Sequence, residues 1–254
     1  MTEAILHTVD VNKAFGSLRA SDNVSIEVRP GEFRAVIGPN GAGKSTFFNL
    51  ISGFLKPDSG RIFMAGKDIT GREPYQLFHS GLSRTFQITS IFTELAVLEN
   101  MQIALLSYRR GLFDGFRQSR RMEVPECRRL LDLVGLDVDH DCRAGTLSHG
   151  DQKKLELAVA LAGEPSLLLL DEPTAGMAAN ERLDSIKMVH RLAKKLGLTV
   201  VFTEHDMQVV FSVADRISVL HQGAIIADDV PEAIRQSPMV QQIYLGETVD
   251  GAVS

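Results

Sequence analysis

Phe33-Arg34-Ala35-Val36-Ile37 runs without a break into Gly38-Pro39-Asn40-Gly41-Ala42-Gly43-Lys44-Ser45, and Thr46-Phe47-Phe48-Asn49-Leu50-Ile51 follows. A short apolar segment bounded by Pro30-Gly31 and by Gly38-Pro39 reads as a strand, and the stretch after Ser45 reads as a helix. The octet between them fits G-x-x-x-x-G-K-[ST]. Glycines in that order let backbone N–H groups curl around phosphate oxygens without Cβ clashes. The helix that follows turns its positive end toward the same anion. Lys44 is placed to reach the β- and γ-phosphates and Ser45 to bind Mg²⁺. From average residue usage, a chance match in a chain of this length is on the order of one per cent. The strand–loop–helix context argues further against a mere glycine-rich turn carrying a surface lysine. The expected nucleotide ligands are therefore Gly38, Pro39, Asn40, Gly41, Ala42, Gly43, Lys44 and Ser45, with Thr46 in the first helical turn.

A phosphate site needs acids opposite the loop, and Leu167-Leu168-Leu169-Leu170-Asp171-Glu172 supplies them. An all-apolar run suits a central parallel strand buried on both faces. Asp171 and Glu172 then stand at the carboxyl edge of the sheet, where open α/β folds bind ligands. Alone, such a run is more often a strand leaving the core into solvent; beside the loop it completes a site. Asp171 is expected to hold Mg²⁺ through water, and Glu172 to accept a proton from an attacking water. Gln87 and His205 each fall just past a predicted strand, Gly81–Phe86 and Leu198–Thr203. Taken singly, either reads equally well as a surface or core polar residue. Four strand ends could deliver Lys44, Gln87, Asp171/Glu172 and His205 to one edge, with Ser45, Gln87 and Asp171 as the metal set. The catalytic set is then Glu172, His205 and Gln87.

Working outward, Ile5 to Val28 reads as short strands around a turn at Gly16-Ser17, and Arg61 to Met64 as another strand. Helical patterns run from Val97 to about Val138, Gln152 to Leu161, about Asn180 to Leu196, and from near Asp206. One or two short helices are expected between Pro231 and Leu245, with Pro231 in a first turn. Strands alternating with helices predict a parallel sheet flanked by helices. Leu147-Ser148-His149-Gly150-Asp151 precedes the helix at Gln152. Ser148 is a good N-cap and Gly150 leaves N–H groups uncovered, a second anion site at a helix start. Two copies placed head-to-tail would use both sites jointly; standing alone, the segment would be an ordinary capped helix.

Composition bounds the class. A chain of 254 residues that is 44% hydrophobic and 23% charged is an ordinary globular sequence. Leu167 to Leu170 is far too short to cross a bilayer. Met1 to Asp10 has no basic start and no apolar core, so no signal peptide is expected. Cys127 and Cys142 have no metal or CxxC spacing and suit a reducing compartment. A net charge of −5 argues against a nucleic-acid partner. Seven arginines between Arg109 and Arg129 read as a solvated helix face, with docking near anionic headgroups or a membrane partner as the sharper alternative. Met177, Met188 and Met207 read as core fillers.

The order of GPNGAGKS (38–45), Gln87, LSHGD (147–151), LLLLDE (167–172) and His205 resembles the ATPase subunits of ABC transporters over nearly the whole chain. The resemblance implies an α/β P-loop NTPase (RecA-like) core with an antiparallel β subdomain and an α-helical signature subdomain. In one domain of 1–254, the core takes about 1–90 and 155–230, the helical part about 91–154, and a tail 231–254. It implies an ATPase that uses ATP and Mg²⁺, with Phe15 stacking on adenine, although Phe15 also reads as a core or hairpin aromatic. It implies that Ser148 and Gly150 contact the γ-phosphate held by an opposite subunit, that His205 contacts its own, and that Thr174–Met177 lies at the subunit contact. The family's commonest signature is LSGGQ, so His149 and Asp151 are departures; Asp151 weakens the local positive potential. GLSRTFQ (81–87), Val97–Asn100, Ala175–Met177 and Tyr244–Glu247 look closer still to the LivG-type subunits of bacterial branched-chain amino acid importers. Near relatives of those carry other amino acids, urea or aromatic acids, and wider relatives carry lipid.

Implied partners are a second such ATPase, two transmembrane permeases and, indirectly, a substrate-binding protein outside the cell. The implied location is the cytoplasmic face of the membrane. A non-transport ABC ATPase acting on DNA or ribosomes would need a long coiled coil or a second cassette, and this chain has neither. A P-loop kinase would leave LSHGD without a purpose.

Overall fold

Three apolar runs become strands buried at every position: Phe33–Ile37 (β4), Leu167–Asp171 (β8) and Thr199–Thr203 (β9). Such near-continuous apolar runs suit strands covered on both faces. The computed structural model describes residues 3–85, 91–108 and 124–243. Successive side chains of β8 enter different cores. Leu168 and Leu170 join Phe33, Ile37 and Phe202 on one face, and Leu167 and Leu169 join Val36 and Val201 on the other.

These strands, with Leu82–Thr85 (β7), Arg216–His221 (β10) and Ala224–Asp229 (β11), make a six-stranded sheet in the order β11-β10-β4-β9-β8-β7. It is parallel from β10 to β7, and β11 adds antiparallel. One face is covered by helix α1 (Lys44–Ile51) and by a second, antiparallel sheet. That sheet is built from β1 (Leu6–Phe15), β2 (Leu18–Val24), β3 (Glu27–Val28), β5 (Ser59–Met64) and β6 (Lys67–Asp68). Phe15 pairs with Leu18, so the expected turn is the two-residue loop Gly16-Ser17.

Between β6 and β7 lies the one-and-a-half-turn helix α2 (Pro74–His79). The other face of the large sheet carries α3 (Val97–Tyr108), α4 (Val124–Leu133), α5 (His149–Leu161), α6 (Ala179–Leu196) and α7 (Met207–Val213). Pro231 occupies the first turn of α8 (Pro231–Gln236), as its position predicts. Among the described residues, no helix is long and apolar enough to cross a membrane.

The helix expected from near Asp206 is α7, capped by Asp206 and ending at Val213; the hairpin β10–β11 that follows it was not expected. Buried Ser218 interrupts the apolar run of β10 and hides it from pattern reading, but its hydroxyl accepts from Arg34 Nη1 at 2.9 Å. The helix expected to start at Gln152 starts at His149, because Ser148 caps it three residues earlier. The predicted strand Gly81–Phe86 appears as β7; Phe86 lies outside the described residues, as do Gln87, Tyr244–Glu247 and every arginine from 109 to 121.

Candidate nucleotide site

The strand order explains why four sequence-distant segments meet. Parallel β4, β9, β8 and β7 are neighbours, and their registers pair Asp171 with Thr203, Thr203 with Val36, and Leu170 with Thr85. Their carboxyl ends therefore finish level, and the loops that carry Lys44, His205 and Asp171/Glu172 leave from one edge.

Beyond β4 the loop 38–43 turns through Gly41 (φ 78°) and Gly43 (φ 103°), conformations that side chains other than glycine's rarely adopt. A Cβ on Gly43 would also run into the Ala20 carbonyl oxygen. Gly43 is the N-cap of α1 and offers no side chain to its first-turn N–H groups, and that turn carries no acidic residue. Those donors and the helix dipole fit an anion. Lys44 Nζ lies against the same loop, donating to the carbonyls of Gly38 at 2.5 Å and Pro39 at 2.9 Å. Ser45 is exposed on the first turn.

On the acidic side, one hydroxyl fixes both carboxylate-bearing residues. Thr203 Oγ1 donates to Asp171 Oδ1 at 2.8 Å and accepts from the Glu172 N–H at 3.1 Å. Glu172 takes a left-handed backbone (φ 48°), a conformation that costs a non-glycine residue about 1–3 kcal/mol and that a site must hold in place. The result turns its carboxylate away from the strand toward His205, whose Nε2 is 2.7 Å from Glu172 Oε1. Asp171 Oδ2 accepts from Arg84 Nη2 at 2.9 Å, and the same guanidinium donates to Asn49 and Ser52 on and just beyond α1. Burial pulls the Arg84 guanidinium below its ordinary value, and Asp171 opposes that pull.

Both oxygens of Asp171 already accept hydrogen bonds, from Thr203 and Arg84, and with the exposed Ser45 hydroxyl they are the oxygen donors this edge offers a cation. Hard oxygen donors of this kind suit Mg²⁺.

The segment after Glu172 is tied to β9 as well. Glu204, buried beside His205, accepts from Thr174 Oγ1 at 2.6 Å and Thr174 N at 3.0 Å, and its other oxygen takes the His205 N–H at 3.3 Å. Burial raises the Glu204 carboxyl above its usual range, hydrogen bonds from Thr174 and His205 oppose this, and the charge of Glu172 adds to it.

Ser148 caps α5 as expected, accepting from Asp151 N at 3.2 Å and donating to Asp151 Oδ2 at 2.8 Å. Lys154 Nζ, 2.9 Å from Asp151 Oδ1, offsets the negative charge that Asp151 brings to the helix start. It holds the Asp151 carboxyl below the ordinary range, with help from Ser148. Gly150 has open space where a Cβ would stand. Ser148, His149 and Gly150 line a cavity of about 550 Å³ together with Met177, Glu181 and Met188. Phe15 is 48% exposed, which removes the core-aromatic reading; Lys13 Nζ sits 5.8 Å from its ring centre and pairs with Asp58.

Sequence reasoning gave no role to Arg84, Thr203 or Glu204, and none to Thr174 within its own chain. Arg84 sits in a short strand of mixed polarity (Leu82-Ser83-Arg84-Thr85), so its burial and its need of a partner show only in the fold. Thr203 becomes informative only once the register opposite Asp171 is known.

The profile of the family described as ABC transporter matches residues 21–175. The chain is 36% identical to the high-affinity branched-chain amino acid transport ATP-binding protein LivG of Escherichia coli K12, over 97% of this chain and 100% of that one. It is 37% identical to BraF of Pseudomonas aeruginosa, which bears the same description, with the same coverage. Among solved structures, the ADP conformation of an ATP-binding cassette of an ABC transporter superposes with a TM-score of 0.85 at 36% identity, covering 96% of this chain and all of that one. A nucleotide-free cassette gives 0.83 at 36% identity, covering 95% and 98%.

Proposed function

This chain belongs to the ABC transporter family as one of its ATP-binding ATPases, and from that premise we propose that it powers an importer of branched-chain or related amino acids. The observation that carries the catalytic part is the edge where Glu172, turned out by its backbone and paired to His205 at 2.7 Å, follows the strand that ends in Asp171. The Gly38–Ser45 loop leaves the same edge.

In this reading the loop and Lys44 grip the β- and γ-phosphates, and Phe15 stacks on adenine. Ser45, Asp171 and Gln87 hold Mg²⁺, which draws off charge from the phosphate oxygens. Glu172 takes the proton of the water that attacks the γ-phosphorus. His205 steadies Glu172 and the transferred phosphoryl group. Ser148 and Gly150 close over the nucleotide of a second cassette set head-to-tail, so that two sites are completed by two chains. Closure then works on two transmembrane permeases, which places the chain on the cytoplasmic face of the membrane. LivG and BraF are described as serving branched-chain amino acid transport, and that supports the choice of cargo.

Glu172→Gln tests the chemistry. It should bind ATP and magnesium as the parent does, lose turnover by about 10²- to 10⁴-fold, the usual contribution of a general base, and accumulate as a dimer in sedimentation. Steady-state hydrolysis equal to the parent's rules out Glu172 as the base. The cargo is tested by vesicles carrying the co-purified permeases: uptake of labelled leucine driven by ATP is expected, and uptake of urea alone would reassign it.

A further inference from the structure

His149 stands where the family's commonest signature has glycine, and its ring is engaged. Nε2 lies 2.9 Å from the carbonyl oxygen of Ala175. A carbonyl only accepts, so this nitrogen carries the hydrogen. Gly176 passes directly under the imidazole with φ 79°; a Cβ there would stand 3.0 Å from Nε2 and 3.4 Å from Cδ2. Ala175 and Gly176 belong to the turn that leaves the catalytic strand, closed by Ala175 N on Glu172 O at 3.0 Å and Met177 N on Thr174 O at 3.2 Å. The near end of that turn is fastened to Glu204, the residue before His205, through the Thr174 hydroxyl and N–H. Its far end is fastened to the start of α5 through His149.

We propose that His149 is a positioning residue that latches the 174–177 turn to the signature loop of the same chain. The Glu172–His205 side of one site is thereby tied to Ser148 and Gly150. The functional half of this inference rests on the reading that Ser148 and Gly150 serve the partner's nucleotide. A glycine at 149 has no group with which to make this connection, so the latch belongs to the chain's own departure from the common motif. Asp151, the other departure, is spent on Ser148 and Lys154 and leaves the imidazole to Ala175.

The test separates hydrogen bond from ring and latch from function. In the full-length chain, amide exchange at 174–177 is measured by mass spectrometry for the parent, His149→Phe, His149→Gly and His149→Gln. Loss of one neutral hydrogen bond should speed exchange of the turn about tenfold in the Phe and Gly variants, with the 38–46 amides unchanged. Gln presents a side-chain N–H at similar reach and should restore most of the protection. Unchanged exchange in His149→Phe, or a Gln variant no better than Gly, overturns the latch. Steady-state kinetics then reads coupling: kcat falls several-fold in the Phe and Gly variants while KM for ATP holds within about twofold, and Gln recovers kcat. Ser148→Ala is the control. If it keeps the parent's turnover, the assigned role of the signature loop fails whatever His149 does. If it loses turnover while His149→Phe keeps it, the coupling alone fails.

Discussion

Replacing Arg84 by methionine removes the cation that holds Asp171 and leaves the side chain's apolar volume in place. Arg84 is 7% exposed and Asp171 8%, so neither charge can turn to bulk water when the other is deleted. Stranding one member of a buried pair costs about 3–5 kcal/mol, and the bond Asp171 keeps from Thr203 favours the low end, about 3 kcal/mol. Asn49 and Ser52 each lose a donor, adding about 1 kcal/mol together after rehydration and repacking. The guanidinium also lies 5.7 Å from the Phe48 ring centre and 5.9 Å from that of Phe54, contacts a thioether can replace. The sum is about 4 kcal/mol, a fall in melting temperature of roughly 8–16 °C for a chain of this size. Calorimetry on the parent, Arg84→Met, Asp171→Asn and the double variant measures it, without ATP, so that binding does not mask the loss. The double variant should recover about 2 kcal/mol relative to the sum of the singles, because the stranded charge is gone. A loss under about 1 kcal/mol, or strict additivity, refutes the argument that this pair organises the acidic edge.

Glu204→Gln keeps an acceptor for Thr174 and removes a carboxyl whose value lies above its ordinary 4.5. A raised acid stabilises the fold fully below that ordinary value and loses the contribution as pH climbs through its folded value. The variant should therefore gain on the parent as pH rises toward neutrality and show no advantage below 4.5; a stability difference that does not change with pH is the refuting result. Gly43→Ala forces a methyl onto the Ala20 carbonyl at a φ of 103°, so calorimetric ATP affinity should drop about tenfold or more, and an affinity within twofold of the parent would count against the loop geometry.

The parts of the molecule legible from sequence are those where a local pattern and a chemical need coincide. Phe33–Ile37 with its glycines, and Leu167–Leu170 with its acids, announce a strand, a face and a ligand in under a dozen residues each. What was not legible depends on partners brought in from far along the chain. Arg34 and Arg84 are each the single charge in a short strand, Arg34 among apolar residues and Arg84 between Ser83 and Thr85. In the fold Arg34 is neutralised by Glu32 and Asp228, whereas Arg84 is committed to the acidic edge. Thr203 is one more β-branched residue until the β8–β9 register sets it opposite Asp171. The strand β10 was missed because its polar Ser218 is answered by Arg34, a partner 184 residues away.

This dependence on distant partners bears on how the edge can work. Asp171 and Glu172 are adjacent, yet the tasks proposed for them require opposite settings: one carboxylate fixed beside a cation, the other able to reach a water. Adjacent residues of a regular strand point to opposite faces, which would send one of them into a core. The left-handed turn at Glu172 breaks that alternation just past the register pair Asp171–Thr203. Thr203 supports both halves of the break, as donor to the held carboxylate and as acceptor for the turned residue's N–H. Valine at 203 keeps the strand's shape and removes both bonds. The damage should therefore appear in turnover and in the magnesium requirement together, since neither acid then keeps its setting.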